Sequence, residues 1–321
     1  MKKLLLGLSL ALAAPTLAWA QAAATYPDKP VKIVVPFAPG GASDVLTRKI
    51  AEELAKRLGQ PVVIENRSGA NTVTASEFVI ASPADGYTMY STNTTLIQLP
   101  ALGAARYDEA RDFVPVAQYA AAPLALAVPA DHPAKNLKEL VAWLKARPGK
   151  ASYATAGAGG SQHIFSEALK RATGVDSIHI PYKGEAPLLN DFLGGRIDWY
   201  IATPISILPH VKSGKVRLLA VTGDQRLPLA PELPTFKEEG ITDLVVVGWY
   251  GMFAPAKTPK AIVDRLSQEI ATIVRTPEVT AYMKDSALVP TGLTAAEFAA
   301  KLPYFRENFS RMIKENNIRI E

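Results

Sequence analysis

The 321-residue chain has no cysteine. That excludes a disulfide framework, thiolate–zinc sites, cysteine nucleophiles and iron–sulfur clusters. Charge is sparse and scattered: 35 basic residues against 30 acidic ones give a formal +5, and no Lys/Arg-rich block stands out. The electrostatic footprint of a nucleic-acid binder is therefore missing. Beyond the N-terminus no apolar run approaches the ~20 residues that cross a bilayer. The most apolar stretch, Tyr119–Ala130, is broken by Pro123 and Pro129. Neither G-x-S-x-G nor H-E-x-x-H occurs, nor does G-x-x-x-x-G-K-[ST]. Gly157-x-Gly159-x-x reaches Gln162 rather than a glycine, so the dinucleotide fingerprint is incomplete. What remains, at 48% hydrophobic residues, is the composition of a folded protein with length enough for two domains.

Lys2 and Lys3 precede an apolar stretch, Leu4–Ala14, and Ala18-Trp19-Ala20 forms an A-x-A-like cleavage site before Gln21. Residues 1–20 are expected to be a cleaved signal peptide. Their removal takes away two lysines and leaves +3. With no cysteine at the cleavage site, lipid anchoring there is excluded. An exported product of a cell with two membranes sits in the periplasm.

Past this segment the chain alternates. Val31–Val35 reads as a buried strand, and Leu46, Ile50, Leu54 and Leu58 mark one face of a helix that Gly59 and Pro61 stop. Val62–Ile64 supplies the next strand, implying a parallel pair. A helix is expected over 72–82 and a strand over 87–91. Further strands are predicted at 124–128, 151–154, 178–181, 216–221 and 245–254. Helices are predicted at 137–144, from about 162, from about 188, and over 261–275, 279–286 and 295–316. The fold class is α/β with open, mostly parallel sheets.

Four loops at predicted strand carboxyl ends carry the functional signal: Pro36–Asp44, Thr92–Thr95, Thr155–Ser161 and Tyr182–Pro187. Open α/β sheets bind ligands at that edge. Glycines allow close backbone approach, and helix starts leave N–H groups free for an anion. Each loop alone reads more readily as a tight strand-to-helix turn, but four together suggest an anion held between two halves. Catalytic readings are thinner. Ser161 and His163 are two apart at a helix start and do not face each other. Ser43 beside Asp44 is a helix cap with a first-turn acid. His163 either donates to a ligand or orients its own loop. His132, His179 and His210 read as residues facing solvent or the sheet surface, and Trp199 and Tyr200 as core.

Pro36-Phe37-Ala38-Pro39-Gly40-Gly41 with Asp44 resembles the opening motif of the Bug family of extracytoplasmic solute-binding proteins, receptors of tripartite tricarboxylate transporters. The resemblance continues through Pro61–Arg67, Pro83–Thr88, Tyr182–Gly184, Gly194–Asp198, Leu233–Thr235 and Trp249–Pro255. It implies a type II periplasmic-binding fold whose two open-sheet lobes, joined by a hinge, close on a small organic acid. The lobes are expected at 21–124 with 249–321, and at 125–248. The resemblance further implies a carboxylate held by Phe37, Ala38, Gly40, Gly41, Ala42, Ser43 and Asp44, and by Ser91, Thr92 and Asn93. From the other lobe it implies Ala156, Gly157, Gly160, Ser161, His163, Tyr182, Lys183, Gly184, Asp198 and Thr203. No catalytic residue, metal or cofactor is expected. The implied partner is the membrane permease of such a transporter, with the receptor itself a monomer and no nucleic acid involved. Without an Arg clamp, a highly charged tricarboxylate is disfavoured. A ligand-sensing subunit, or an exported hydrolase using Ser43, Ser161 or His163, are the alternative readings. The chain departs from the family pattern twice. Gly160 stands where a serine is usual, and Asn71-Thr72 replaces a glycine pair.

Overall fold

A computed structural model describes residues 26–320. The expected signal peptide lies outside them. Val31–Val35 forms β1, buried except at Lys32, and leads into α1 (Ala42–Leu58), whose Leu46/Ile50/Leu54/Leu58 stripe is buried. The chain continues through β2 (Val62–Asn66), α2 (Val73–Ile80), β3 (Thr88–Asn93), α3 (Thr95–Ala101), α4 (Glu109–Asp112) and β4 (Phe113–Ala122). Next come β5 (Ala125–Pro129), α5 (Leu137–Lys145), β6 (Ser152–Thr155), α6 (Ser161–Thr173), β7 (Ile178–Pro181) and α7 (Glu185–Leu193). They are followed by β8 (Trp199–Ala202), α8 (Pro204–Lys212) and β9 (Val216–Val221). The chain closes with β10 (Gly248–Pro255), α9 (Lys260–Val274), α10 (Pro277–Asp285), β11 (Val289–Thr294) and α11 (Ala295–Glu315).

The strands form two sheets, ordered β11-β4-β10-β3-β1-β2 and β7-β6-β8-β5-β9. Both are mixed, where mostly parallel sheets were expected. In the first, β1 runs parallel to β2 and β3, but β10 inserts between β3 and β4 antiparallel to both. In the second, β6 runs parallel to β7 and β8, while β5 is antiparallel to β8 and β9. Two of the reversed strands, β5 and β10, carry the chain from one sheet to the other and back; the third, edge strand β11, is antiparallel to β4. Those two passages run side by side: Thr222 N donates to Leu124 O at 2.8 Å, and Leu124 N to the Thr222 hydroxyl at 2.9 Å.

One cluster of buried apolar side chains runs from Tyr90 and Trp249 through Phe298 and Phe305 to Phe165 and Trp199. It therefore joins the two sheets by way of α11, with Phe309 lying 6.0 Å from Phe165, centroid to centroid. The opposite face of the first sheet packs on α1 and α9 through Ile50, Leu54, Leu266 and Ile270. Trp199 and Tyr200 are core, as read from the sequence.

Candidate functional site

The loop from β1 into α1 is shaped by one buried carboxylate. Asp44 accepts from Gly40 N at 2.9 Å, from Arg48 Nε at 2.9 Å and from Asn66 Nδ2 at 2.8 Å. Asn66 Nδ2 also donates to Phe37 O at 3.0 Å. Burial pushes the Asp44 carboxyl up, but the Arg48, Gly40 and Asn66 hydrogen bonds outweigh it and hold it below its ordinary range. Ala38–Gly41 stay exposed. Beneath them a hydroxyl chain runs from Thr47 (2.6 Å to Ser43 O) to Ser91 Oγ at 2.6 Å and on to Tyr119 Oη at 2.6 Å. The Ser91 hydroxyl is consumed there, so its expected role at the ligand is corrected to support of the loop floor. Asn93 Oδ1 accepts from Thr95 N at 3.0 Å, an Asx turn that shapes the β3–α3 corner.

In the second half, α6 begins at Gly160. Gln162 Oε1 accepts from Ala156 N at 2.7 Å and His163 Nδ1 accepts from Gly159 N at 3.1 Å. His163 orients its own loop, with its ring stacked on His179 at 4.3 Å. His179 stacks in turn on Tyr153 at 4.8 Å, and Tyr153 on Trp199 at 4.9 Å. Of the two places expected for His179, solvent or the sheet surface, it takes the second: its ring is an inner rung of a stack across β7, β6 and β8. His132 is also buried and packs edge-on to Trp143 at 4.6 Å. Tyr182 turns its hydroxyl back to Asp191 Oδ2 at 2.7 Å, while Lys183 is exposed. Gly184 takes φ +106°, a conformation that residues with a Cβ rarely adopt, and this lets β7 turn directly into α7.

Asp198 does not join these loops. It precedes β8, at the edge opposite the strand carboxyl ends, and accepts from Ser152 N at 2.7 Å and Ser152 Oγ at 3.1 Å. It ties β6 to β8 as a structural acid, which corrects its expected place at the ligand. The remaining candidates fall on the loops that end β1, β3, β6, β7 and β8, and the two halves touch through those loops. Ser161 Oγ meets Thr94 Oγ1 at 2.9 Å and accepts from Gln98 Nε2 at 2.8 Å. Asn71 Nδ2 donates to Ala158 O. Gly159 (φ +82°) lies so close to the C-terminal tail that a Cβ there would stand 2.4 Å from Ile320 Cδ1.

Sequence reasoning missed Gln98 and Gln162 and gave no role to the side chains of Thr94 and Glu185, which lie on two of the four loops, while Asn71 was noted only as a departure from the family pattern. None carries a local signal, because each acquires its role from a partner at least six residues away. Glu185, the first residue of α7, receives Ser206 Oγ at 2.7 Å, Thr203 N at 3.3 Å and Gln162 Nε2 at 3.4 Å. Burial pushes its carboxyl above the ordinary range, against the pull of those hydrogen bonds.

Three helix starts share a glycine, and Ser43, expected to cap α1, lies inside its first turn instead. α1, α6 and α7 begin at Gly41, Gly160 and Gly184 with no side-chain cap. The side chains of Asp108, Asn136, Thr276 and Thr294 cap α4, α5, α10 and α11, whereas α2, α3, α8 and α9 also lack a side-chain cap but begin at Thr72, Thr94, Thr203 and Pro259, so it is the glycine that sets the three apart. Uncapped N-termini keep backbone N–H groups available and carry partial positive charge, a setting suited to an anion. Ser161 and His163 are each bonded elsewhere and form no hydrogen bond with one another among the described residues, so no serine–histidine relay is assembled.

Two outcomes follow from this geometry. Ser161 was expected at the ligand but bridges the two halves. A double-mutant cycle of Ser161→Ala with Gln98→Ala should therefore show a coupling of about 1 kcal/mol or more in ligand affinity, whereas additive losses would assign Ser161 to the ligand alone. The stacked histidines set an acid limit. Burial, then the neighbouring His163, lowers His179 to about 4 despite the opposing Glu167, and burial also lowers His163. A lowered folded-state value means that the unfolded chain binds more protons. Stability should thus be complete above pH ~6.5 and fall towards pH ~4, by about 2–3 kcal/mol for His179. Urea midpoints of wild type and His179→Phe across that range check this: the variant should lose much less stability on acidification.

A two-lobed α/β molecule with glycine-capped helix starts meeting at the strand carboxyl ends has the architecture of a periplasmic binding protein. The sequence profile of the tripartite tricarboxylate transporter family receptor matches residues 46–317. Protein BugT of Bordetella pertussis is 34% identical over 84% of this chain and 84% of its own. A Rhodopseudomonas palustris protein solved with adipate superposes with a TM-score of 0.87 at 31% identity, covering 92% of this chain and 99% of that one. The periplasmic binding protein BugD gives 0.84 at 32% identity, covering 92% and 100%. A second R. palustris protein, solved with malate, gives 0.83 at 28% identity, covering 90% and 100%. The chain belongs to the tripartite tricarboxylate transporter receptor family and is a solute-binding receptor.

Proposed function

We propose that this receptor is exported by its N-terminal signal peptide and acts in the periplasm as a monomer. There it binds a small organic carboxylate between its lobes and hands it, chemically unchanged, to the permease of a tripartite tricarboxylate-type transporter. The observation that carries the reading is the set of three uncapped, glycine-started helices from both halves. Backbone N–H groups can hold an anion without a titrating base. Adipate and malate in two relatives support the ligand class. We assign binding to the backbone of Phe37–Ser43 and Ala156–Ser161, with Thr92, Asn93, Lys183, Gly184 and Thr203 around them. The moving bodies are 21–124 with 249–321 and 125–248, a division supported by the membership of the two sheets. Closure signals occupancy to the permease only if the ligand prefers the closed form, since equal affinity for both forms shifts nothing.

A thermal-shift screen of the processed protein against organic acids tests this, followed by calorimetry and mass spectrometry of the recovered ligand. A stabilising acid recovered intact is expected. A converted acid would make the protein an enzyme, and stabilisation only by non-acids would remove the carboxylate assignment.

A further inference from the structure

We propose that Glu185 sets ligand choice by pairing with a cationic nitrogen, so that the preferred ligand carries one carboxylate and one ammonium rather than two carboxylates. The inference rests on the carboxylate reading given above. All three hydrogen bonds that Glu185 receives go to Oε1; Oε2 has none among the described residues. Because those donors come from α6, the β8–α8 turn and α8 itself, they fix the carboxylate in place at the carboxyl edge of the second sheet. One oxygen is anchored and the other is left open.

The surroundings do not neutralise it. Of the charged side chains on these loops, Asp44 is already matched by Arg48 at 2.9 Å, and exposed Lys183 forms no ion pair among the described residues. Burial first, and the Glu185 carboxylate second, oppose ionisation of Tyr250 on β10 in the other half and of Tyr200 on β8. Tyr200 Oη is buried and has no hydrogen-bond partner among the described residues. The second half thus carries an unpartnered carboxylate oxygen at its carboxyl edge and an unpartnered buried hydroxyl on β8. A second ligand carboxylate placed there meets like charge in a half-buried setting, where screening is weak. An ammonium, with three donors, satisfies Oε2 by a charge-assisted hydrogen bond.

Calorimetry with matched ligand pairs tests this. β-Alanine, 4-aminobutyrate, 5-aminopentanoate and 4-(aminomethyl)benzoate are each compared with the acid in which a carboxylate replaces the ammonium: succinate, glutarate, adipate and 4-(carboxymethyl)benzoate. Wild type should prefer the amino member of its best pair by about 10- to 100-fold. Glu185→Gln should erase that preference by weakening the amino member, with the diacid unchanged or tighter. Ser206→Ala, which loosens the Oε1 anchor and keeps the charge, should retain the sign of the preference. Equal losses for both members in Glu185→Gln would make Glu185 a purely structural hub and overturn the proposal. A diacid preference in wild type that survives Glu185→Gln would also overturn it, while leaving the carboxylate receptor intact. Failure of every acid in the panel to bind, with stabilisation only by non-acids in the thermal-shift screen, would overturn both.

Discussion

Replacing Gly41 with valine should lower ligand affinity at least about a hundredfold while the protein still folds. Gly41 is the N-cap of α1, with φ −76° and ψ 167°, a backbone conformation open to any residue. A Cβ there would meet nothing nearer than Ala38 O at 3.7 Å. The folded state therefore accommodates the side chain, with a capping loss of about 1 kcal/mol and a melting temperature lowered by no more than about 4 °C. Two methyl groups would nonetheless stand over the first-turn N–H groups of α1 and hold an anion away from them. Losing two charge-assisted hydrogen bonds at about 1.5–3 kcal/mol each accounts for the expected effect. Calorimetry on the folded variant decides it, and wild-type affinity would place the ligand elsewhere.

Asp44→Ala should damage stability and affinity together. The buried carboxylate satisfies Gly40 N, Asn66 Nδ2 and Arg48 Nε at once. Removing it leaves the Asn66 amide and the loop backbone short of an acceptor, at a cost of about 2–4 kcal/mol. Arg48, which is half exposed, recovers part of its solvation. The Pro36–Gly41 segment loses the hydrogen bonds that hold its shape, so affinity should fall at least tenfold as well. Asp44→Asn keeps one amide oxygen as acceptor and should restore roughly half of both losses. Urea unfolding and calorimetry on the two variants check this. Unchanged affinity in a destabilised Asp44→Ala would show that the ligand does not depend on the shape of this loop. The two substitutions are complementary: one blocks the surface of the loop, the other removes its support.

How far the sequence could be read varied from element to element. β1, α1 and β2 were plain, because a β-branched run and an i, i+4 leucine stripe are local patterns that survive in the fold. β4 was not. Its Phe-Val-Pro-Val-Ala-Gln-Tyr-Ala-Ala-Ala carries a proline and an alanine run, yet it lies between β10 and β11. Pro115 is tolerated because the register slips there, Met252 facing Ala117 and Phe253 facing Pro115, so that a bulge absorbs the missing donor. β11 escaped notice for a related reason: Pro290 and Gly292 sit at an irregular stretch of an edge strand. The antiparallel course of β5 and β10 was equally hidden, since it follows from where the chain changes sheets and not from any local residue pattern.

For the candidate site, the sequence by itself determined the family and the loops. Glycines at strand-to-helix junctions and the seven motifs in register are properties of short segments. Only the tertiary structure decided what the side chains on those loops do. Asp44 and His163 turn inward to hold their own loops, and Ser91 is spent beneath one of them. Ser161 meets Gln98 across the lobes, and Glu185 gathers donors from three segments. Asp198 stands at the far edge of its sheet. The physical reason is that a polar side chain's role is set by which partner satisfies it on burial, and the partners of Ser161 lie 63 and 67 residues away. Local pattern specifies backbone course and helix starts; the pairing of buried polar groups is specified only when segments distant in the chain have packed together.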